Sequence, residues 1–293
     1  MEEYWRFYPR FIGLKDLEKI FQKRSLQIKK GRVVGQGNKG FLAETLRRAK
    51  ISEAKLAKRI GLIKLLGRLP GVEFIGVSGT VSVLSANFED DIDLFVTTQK
   101  NRLWTARFWL IFITSILRVR RVRKEKNPQD KLCLNLFFDE GNLQIPKKKQ
   151  TEYVAHEVLQ LLPVVNKKGV YERFLEVNRW VYKFFPNGKN SVASSKQQVA
   201  RKNNLEFNSQ FRIGKRICLP LTKLRQYVEA KWGKLKIENL WEFCLKNLQL
   251  ILIKRHQTTE IITDKQLWFF PEDFERKLKT RISANKSYAN KRK

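Results

Sequence analysis

Val77-Ser-Gly-Thr-Val-Ser-Val-Leu-Ser-Ala-Asn-Phe-Glu-Asp-Asp-Ile-Asp-Leu-Phe-Val96 joins a small-residue turn to two aspartates separated by one residue. The residues just before it, Val72 to Val77, are apolar enough for a buried strand. Ser78, Gly79 and Thr80 then let the chain turn tightly, with backbone N–H groups and hydroxyls facing an anion such as a triphosphate. Asp91-Ile92-Asp93-Leu94-Phe95-Val96 reads as a second strand, on which residues two apart share a side. Asp91 and Asp93 therefore project together while Ile92 enters the core. Two adjacent carboxylates repel unless a cation shares them, and Mg²⁺ is commonly held by one or two carboxylates plus phosphates. The stretch predicts a phosphate grip followed by a divalent-metal seat.

Gly79-Thr80 and Asp91-Ile92-Asp93 resemble the Gly turn and the later D-h-D pair (h, apolar) of polymerase β type nucleotidyltransferases. That resemblance implies an NTP held at Ser78, Gly79 and Thr80, with Asp91 and Asp93 as catalytic residues binding Mg²⁺ (or Mn²⁺). The implied reaction moves a nucleoside monophosphate to a hydroxyl and releases pyrophosphate. Thr80 stands where the family usually has Ser, and Leu84 where many small members place a second Gly, which implies an altered nucleotide pocket. Tyr171 to Trp180 and His256 to Thr263 also resemble segments of an uncharacterised bacterial branch of nucleotidyltransferase-like proteins.

The family's third carboxylate comes from a neighbouring strand, and the strand pattern here is Lys131-Leu-Cys-Leu-Asn-Leu-Phe-Phe-Asp139. Alternation sends Leu132, Leu134, Leu136 and Phe138 to one face, leaving Lys131, Cys133, Asn135, Phe137 and Asp139 on the other. The third position falls to Asn135, which offers a metal one carbonyl oxygen but cannot act as a base, or to Asp139 at the strand's end. With Asn135 there, an alternative reading is a catalytically impaired protein of the same fold, serving as a nucleic-acid-binding or regulatory module. A second alternative is a small-molecule transferase of the aminoglycoside-modifying sort.

Sixty Lys and Arg against 28 Asp and Glu leave a formal charge of +32 over 293 residues, enough to attract polyanions such as RNA or DNA. Arg118, Arg120, Arg121 and Arg123 form the basic cluster expected nearest the catalytic sheet. Cys133, Cys218 and Cys244 lie far apart among apolar neighbours, which predicts reduced interior thiols and a cytoplasmic protein. His156 and His256 are too few for a His-rich zinc site and read as structural. Phe108 to Leu117 is too short to span a membrane and is bracketed by Arg107 and Arg118, so it reads as a helix packed on a sheet. Met1 to Arg6 opens no secretory leader.

The expected fold class is α+β, a small mixed-sheet nucleotidyltransferase core followed by a helical C-terminal domain. Residues 1–40 read as an appendage, a helix and a glycine-tipped hairpin suggesting a reduced winged helix; 41–150 as the core; and 151–293 as the helical domain with a basic tail. The run Gly35-Gln-Gly-Asn-Lys-Gly40 matches a dinucleotide fingerprint but lacks the firm buried strand that fingerprint needs. Gly141 to Ile145 reads as an edge of the sheet, residues 170–185 as one helix, and 187–208 as a loop.

Overall fold

The computed structural model describes residues 2–23, 26–29, 32–35, 39–122, 125–189, 237–255 and 260–269. Arg123, Cys218, His256, most of the 187–208 stretch, the middle of the 35–40 glycine run and the basic tail lie outside the described residues.

The chain is mixed α+β around a six-stranded sheet. Its strands are β3 (Val72–Ser78), β4 (Ile92–Thr98), β5 (Leu132–Asp139), β6 (Leu162–Asn166), β7 (Ile261–Ile262) and β8 (Gln266–Trp268). They run in the order β6-β3-β4-β5-β8-β7, with β4 and β5 parallel and every other pair antiparallel. A separate hairpin pairs β1 (Leu26–Lys29) with β2 (Arg32–Gly35). The glycine run thus begins on a small hairpin outside the main sheet, in keeping with an accidental fingerprint.

One face of the sheet carries Val72, Ile75, Val77, Ile92, Leu94 and Val96 against α3 (Lys39–Leu66), α5 (Leu103–Ile116) and α9 (Ile237–Lys254). The opposite face carries Phe74, Phe95, Phe138 and Trp268 against α6 (Glu152–Gln160), α7 (Val170–Val177) and α8 (Val181–Phe184). Alternation along the central strands builds both layers, since each strand is apolar in both directions. The α5 segment is one-sided: Leu103, Trp104, Ala106, Leu110 and Thr114 are buried, while Phe112 and Ile116 are exposed.

Several expectations are corrected. The sheet crosses the boundary placed at residue 150, because β6 pairs with β3 and β8 with β5, so the C-terminal half is not purely helical. The edge beside β3 is β6, whose Leu-Pro-Val-Val-Asn sequence follows α6 after one residue; Gly141 to Ile145 forms no strand. Residues 170–185 split into α7 and α8 because Asn178 turns the chain: its amide donates to the Leu143 and Phe174 carbonyls and its oxygen accepts from Ile145 N. Cys133 is half-buried as a free thiol, but Cys244 is exposed rather than interior.

The N-terminal residues dock on the body rather than standing apart. Asn187 donates to the carbonyls of Trp5 and Arg10 and accepts from Ile12 N, and Phe7 packs on His156 with ring centroids 3.8 Å apart. His156 is therefore structural, its pKa lowered mainly by burial. No helix among the described residues is long and apolar enough to cross a membrane.

Candidate functional site

The turn after β3 is built for close approach. Gly79 has φ +66, and a Cβ there would collide with the Asp93 carboxylate, so only glycine lets the turn lie against β4. Gly79 opens the one-turn helix α4 (Gly79–Ser82), whose N-cap Ser78 makes no side-chain capping bond. The loop back to β4 is held from α3: buried Lys55 donates to the carbonyls of Phe88 (2.6 Å) and Asp90 (2.7 Å) and to Asp130 Oδ1 (2.9 Å). Burial would raise the Asp130 carboxyl, but the bonds from Lys58 and Lys55 outweigh it and hold it below the usual carboxylate range. This clamp fixes where Asp91 and Asp93 begin.

In register, Ser78 faces Asp93 on one side and Cys133 faces it on the other. Ile92 and Leu94 are fully buried toward α3 and α5, so Asp93 points to the opposite face, as the alternation predicts. The ligand atoms of Asp91, Asp93 and Cys133 lie within 4.8 Å of one another. Burial above all, then the negative charges of Asp91 and Glu157, pushes Asp93 up to about 7 against the pull of Arg121 and Asn135. Arg121 Nη1 donates to Asp91 Oδ2 at 2.7 Å, which puts one member of the expected basic cluster on the carboxylate pair.

Of the two residues expected at the third position, Asn135 is the one that reaches Asp93. Its amide donates to Asp93 Oδ1, and its own oxygen accepts from the Cys133 thiol at 2.7 Å. Asn135 reaches the site through a bulge: the β4–β5 register jumps from Leu94↔Leu134 to Phe95↔Leu136. The uniform alternation expected for this strand is thereby broken: Leu132 and Leu134 face one layer, Leu136 and Phe138 the other, and Phe137 crosses to the first. Asp139 is not brought to the site. It pairs with Thr98, six residues along β5 from Cys133 and roughly 20 Å away. There its carboxylate accepts Asn101 N at 2.5 Å and Gly141 N at 2.8 Å, which is a turn-closing role.

The grip residues are engaged from inside the protein. Thr80 donates its hydroxyl to Asp90 Oδ2 at 3.0 Å, and the Gly79 N–H donates to the carboxylate of Glu157 on α6. Glu157 also accepts from Tyr153, and burial raises its pKa despite both bonds. Glu157 is the site residue that sequence reasoning missed. Its only local signal is that it sits between Val154 and Val158 on the buried face of α6, which marks a core position and not a partner for a turn some 78 residues earlier.

The donor set suits a hard divalent cation. Asp91 and Asp93 supply carboxylate oxygens, and burial and the adjacent aspartates push the Cys133 thiol well above its ordinary pKa in the metal-free protein. Asp264, in the turn between the last two strands, is tied to Lys246 at 2.7 Å. Comparison with protein-family models, curated proteins and solved structures finds no match to this chain.

Proposed function

We propose that the chain is a metal-dependent nucleotidyltransferase that moves a nucleoside monophosphate from an NTP to a hydroxyl acceptor. The observation that supports it best is the packing of the Gly79 turn directly against Asp93, with Asp91 beside it. That juxtaposition sets a phosphate-binding backbone next to two carboxylates that repel one another. Asp91 and Asp93 would hold Mg²⁺ (or Mn²⁺), which when bound neutralises phosphate charge and polarises the α-phosphorus. Ser78, Gly79 and Thr80 orient the phosphates, Arg121 adds positive charge beside Asp91, and Glu157 yields the Gly79 N–H as the nucleotide arrives. The acceptor oxygen bonds the α-phosphorus as the bond to the β-phosphate oxygen breaks. Pyrophosphate leaves with that electron pair, and the hydroxyl proton passes to solvent or a site carboxylate.

A second reading is favoured by one contact, the Asn135 amide donating to Asp93 where the family has a carboxylate. It makes the protein an impaired member acting as a nucleic-acid-binding or regulatory module. The charge of +32 and the exposed Arg118 favour RNA or DNA as the partner on this second reading. The free thiols Cys133 and Cys244 support a cytoplasmic setting.

The test is transfer of label from α-labelled NTPs to a panel of hydroxyl acceptors, with Mg²⁺ and with chelator. Wild type should transfer only with metal, and Asp91→Ala with Asp93→Ala should lose roughly a thousandfold or more, the scale of removing a preorganised electrostatic stabiliser. Undiminished transfer in the double variant overturns the assignment. Nucleotide binding by wild type without transfer to any acceptor selects the second reading.

A further inference from the structure

Beside the carboxylates, a pocket of about 70 Å³ enters the layer between the sheet and α6. Its walls are apolar, with Phe95, Phe138, Val158, Leu161, Phe174 and Trp268 among them. Its polar lining is four side chains, Ser78, Lys149, Tyr153 and Glu157. Ser78 is the register partner of Asp93, and Glu157 holds the Gly79 N–H, so the polar edge of the pocket adjoins the proposed reaction centre.

Three properties define an occupant. A dry engineered cavity of about 150 Å³ accepts benzene, so half that volume suits an aliphatic group of about three carbons rather than a ring. Lys149 and Glu157 bring opposite charges to the same wall, and Lys149 is already engaged in an interaction of its own, so the pocket carries no net charge to attract an ion. An anion would in addition meet Glu157, Asp93 and Asp91. Glu157 has accepted two hydrogen bonds and, as a carboxylate, retains lone pairs for a further donor.

We propose that this pocket is the acceptor subsite, seating the short aliphatic body of a small uncharged alcohol whose hydroxyl donates to Glu157 beside Asp93. The acceptor role rests on the nucleotidyl-transfer reading; the binding step requires neither metal nor nucleotide and is tested without them. With its hydroxyl on Glu157, the alcohol oxygen lies near the Ser78 turn and its carbon body lies among the apolar lining.

The probe is 1-propanol, followed by ligand-detected saturation-transfer NMR on the full chain in chelator. Saturable binding is expected, while propanoate, of about the same size but anionic, should bind at least tenfold more weakly. Val158→Trp fills the pocket and should abolish binding. Val154→Phe, a smaller intrusion, serves if the first variant fails to fold by circular dichroism. Because the titration is run in chelator, binding reports the pocket and not the metal seat. No saturable binding to wild type, equal binding in a folded pocket-filling variant, or preference for the carboxylate overturns the proposal. Binding without transfer on adding NTP and Mg²⁺ overturns the acceptor role and leaves the pocket standing as a ligand site.

Discussion

At one end of the parallel β4–β5 pair stand Asp91 and Asp93 with Glu157 close by, and at the other stands Asp139, and the two ends treat their carboxylates in opposite ways. Asp139 is 1% exposed yet comfortable: two backbone N–H groups, of Asn101 and Gly141, aim at its two oxygens and close the turns on either side. Asp93 receives an amide from Asn135 but faces two other acids across a half-buried space. A buried carboxylate supplied with backbone donors stabilises a fold. A group of carboxylates pressed together with fewer donors than lone pairs costs stability, and the cost is relieved by a cation. On the proposed metal-dependent reading, the acidic end takes up an external charge beyond that of Arg121, whereas the Asp139 end is satisfied from within.

The largest effect expected from this contrast is a pH dependence at the acidic end. Asp93 in the folded protein titrates at about 7, above an unfolded value of about 3.9. The folded state therefore binds this proton more tightly. The associated stability is fully present below about pH 4 and is lost as pH rises through 7. The loss amounts to at most about 4 kcal/mol by linkage, with Glu157 adding in the same direction. Urea unfolding in chelator should show stability falling between about pH 4 and pH 8 on this account. Asp93→Asn should flatten most of that fall, and Mg²⁺ should restore stability to wild type at pH 8. A wild-type slope retained in Asp93→Asn would mean that the acids at this end do not crowd one another.

Next in size is the mirror experiment at the far end. Asp139→Ala takes the acceptor from the N–H groups of Asn101 and Gly141 in partly buried turns, at a cost of about 2 kcal/mol. Metal binding should be unchanged, because the residue is a strand's length from Asp93. Calorimetric titration of Mg²⁺ alongside the unfolding midpoint checks both halves. A variant that keeps its stability and loses metal affinity would return Asp139 to the site and erase the distinction between the two ends.

How far this contrast was legible in the sequence depends on how local each cause is. The Gly79 turn and the shared face of Asp91 and Asp93 follow from strand periodicity within some twenty residues, and β3, β4, α5, β5 and α9 were readable on the same ground. The bulge at Asn135 was not readable, since it arises from how β5 meets β4, and the residue types alone fit either parity. Strand β6 was hidden because five residues containing a proline carry little periodicity, and their pairing with β3 is set by the apolar edge that β3 offers. Glu157 is the extreme case: its meaning lies wholly in the Gly79 N–H, far away in sequence. The bulge also divides the face predicted to carry both Asn135 and Asp139, since Phe137, of the same parity as Asp139, packs in the other layer.

The smallest expected effect, and the one that divides the two functional readings, is at Asn135. In wild type its amide hydrogen-bonds Asp93 and so takes up one carboxylate oxygen that a cation would use. Asn135→Asp replaces that donor with a third carboxylate on the same bulge. Without metal the substitution should destabilise the protein, because it adds a like charge beside Asp93 in a half-buried setting. With Mg²⁺ the sign reverses. Affinity should rise about tenfold, equivalent to about 1.4 kcal/mol, since a hard cation gains an anionic oxygen in place of an amide. Calorimetry gives the affinity, and label transfer under the same conditions gives the consequence. Tighter metal with faster transfer means that Asn135 tempers a working centre. Tighter metal with transfer appearing only in the variant means that Asn135 is the substitution that silenced it. No gain in affinity would place Asn135 outside the metal seat altogether, leaving Asp91 and Asp93 to hold the cation with the substrate's own phosphates.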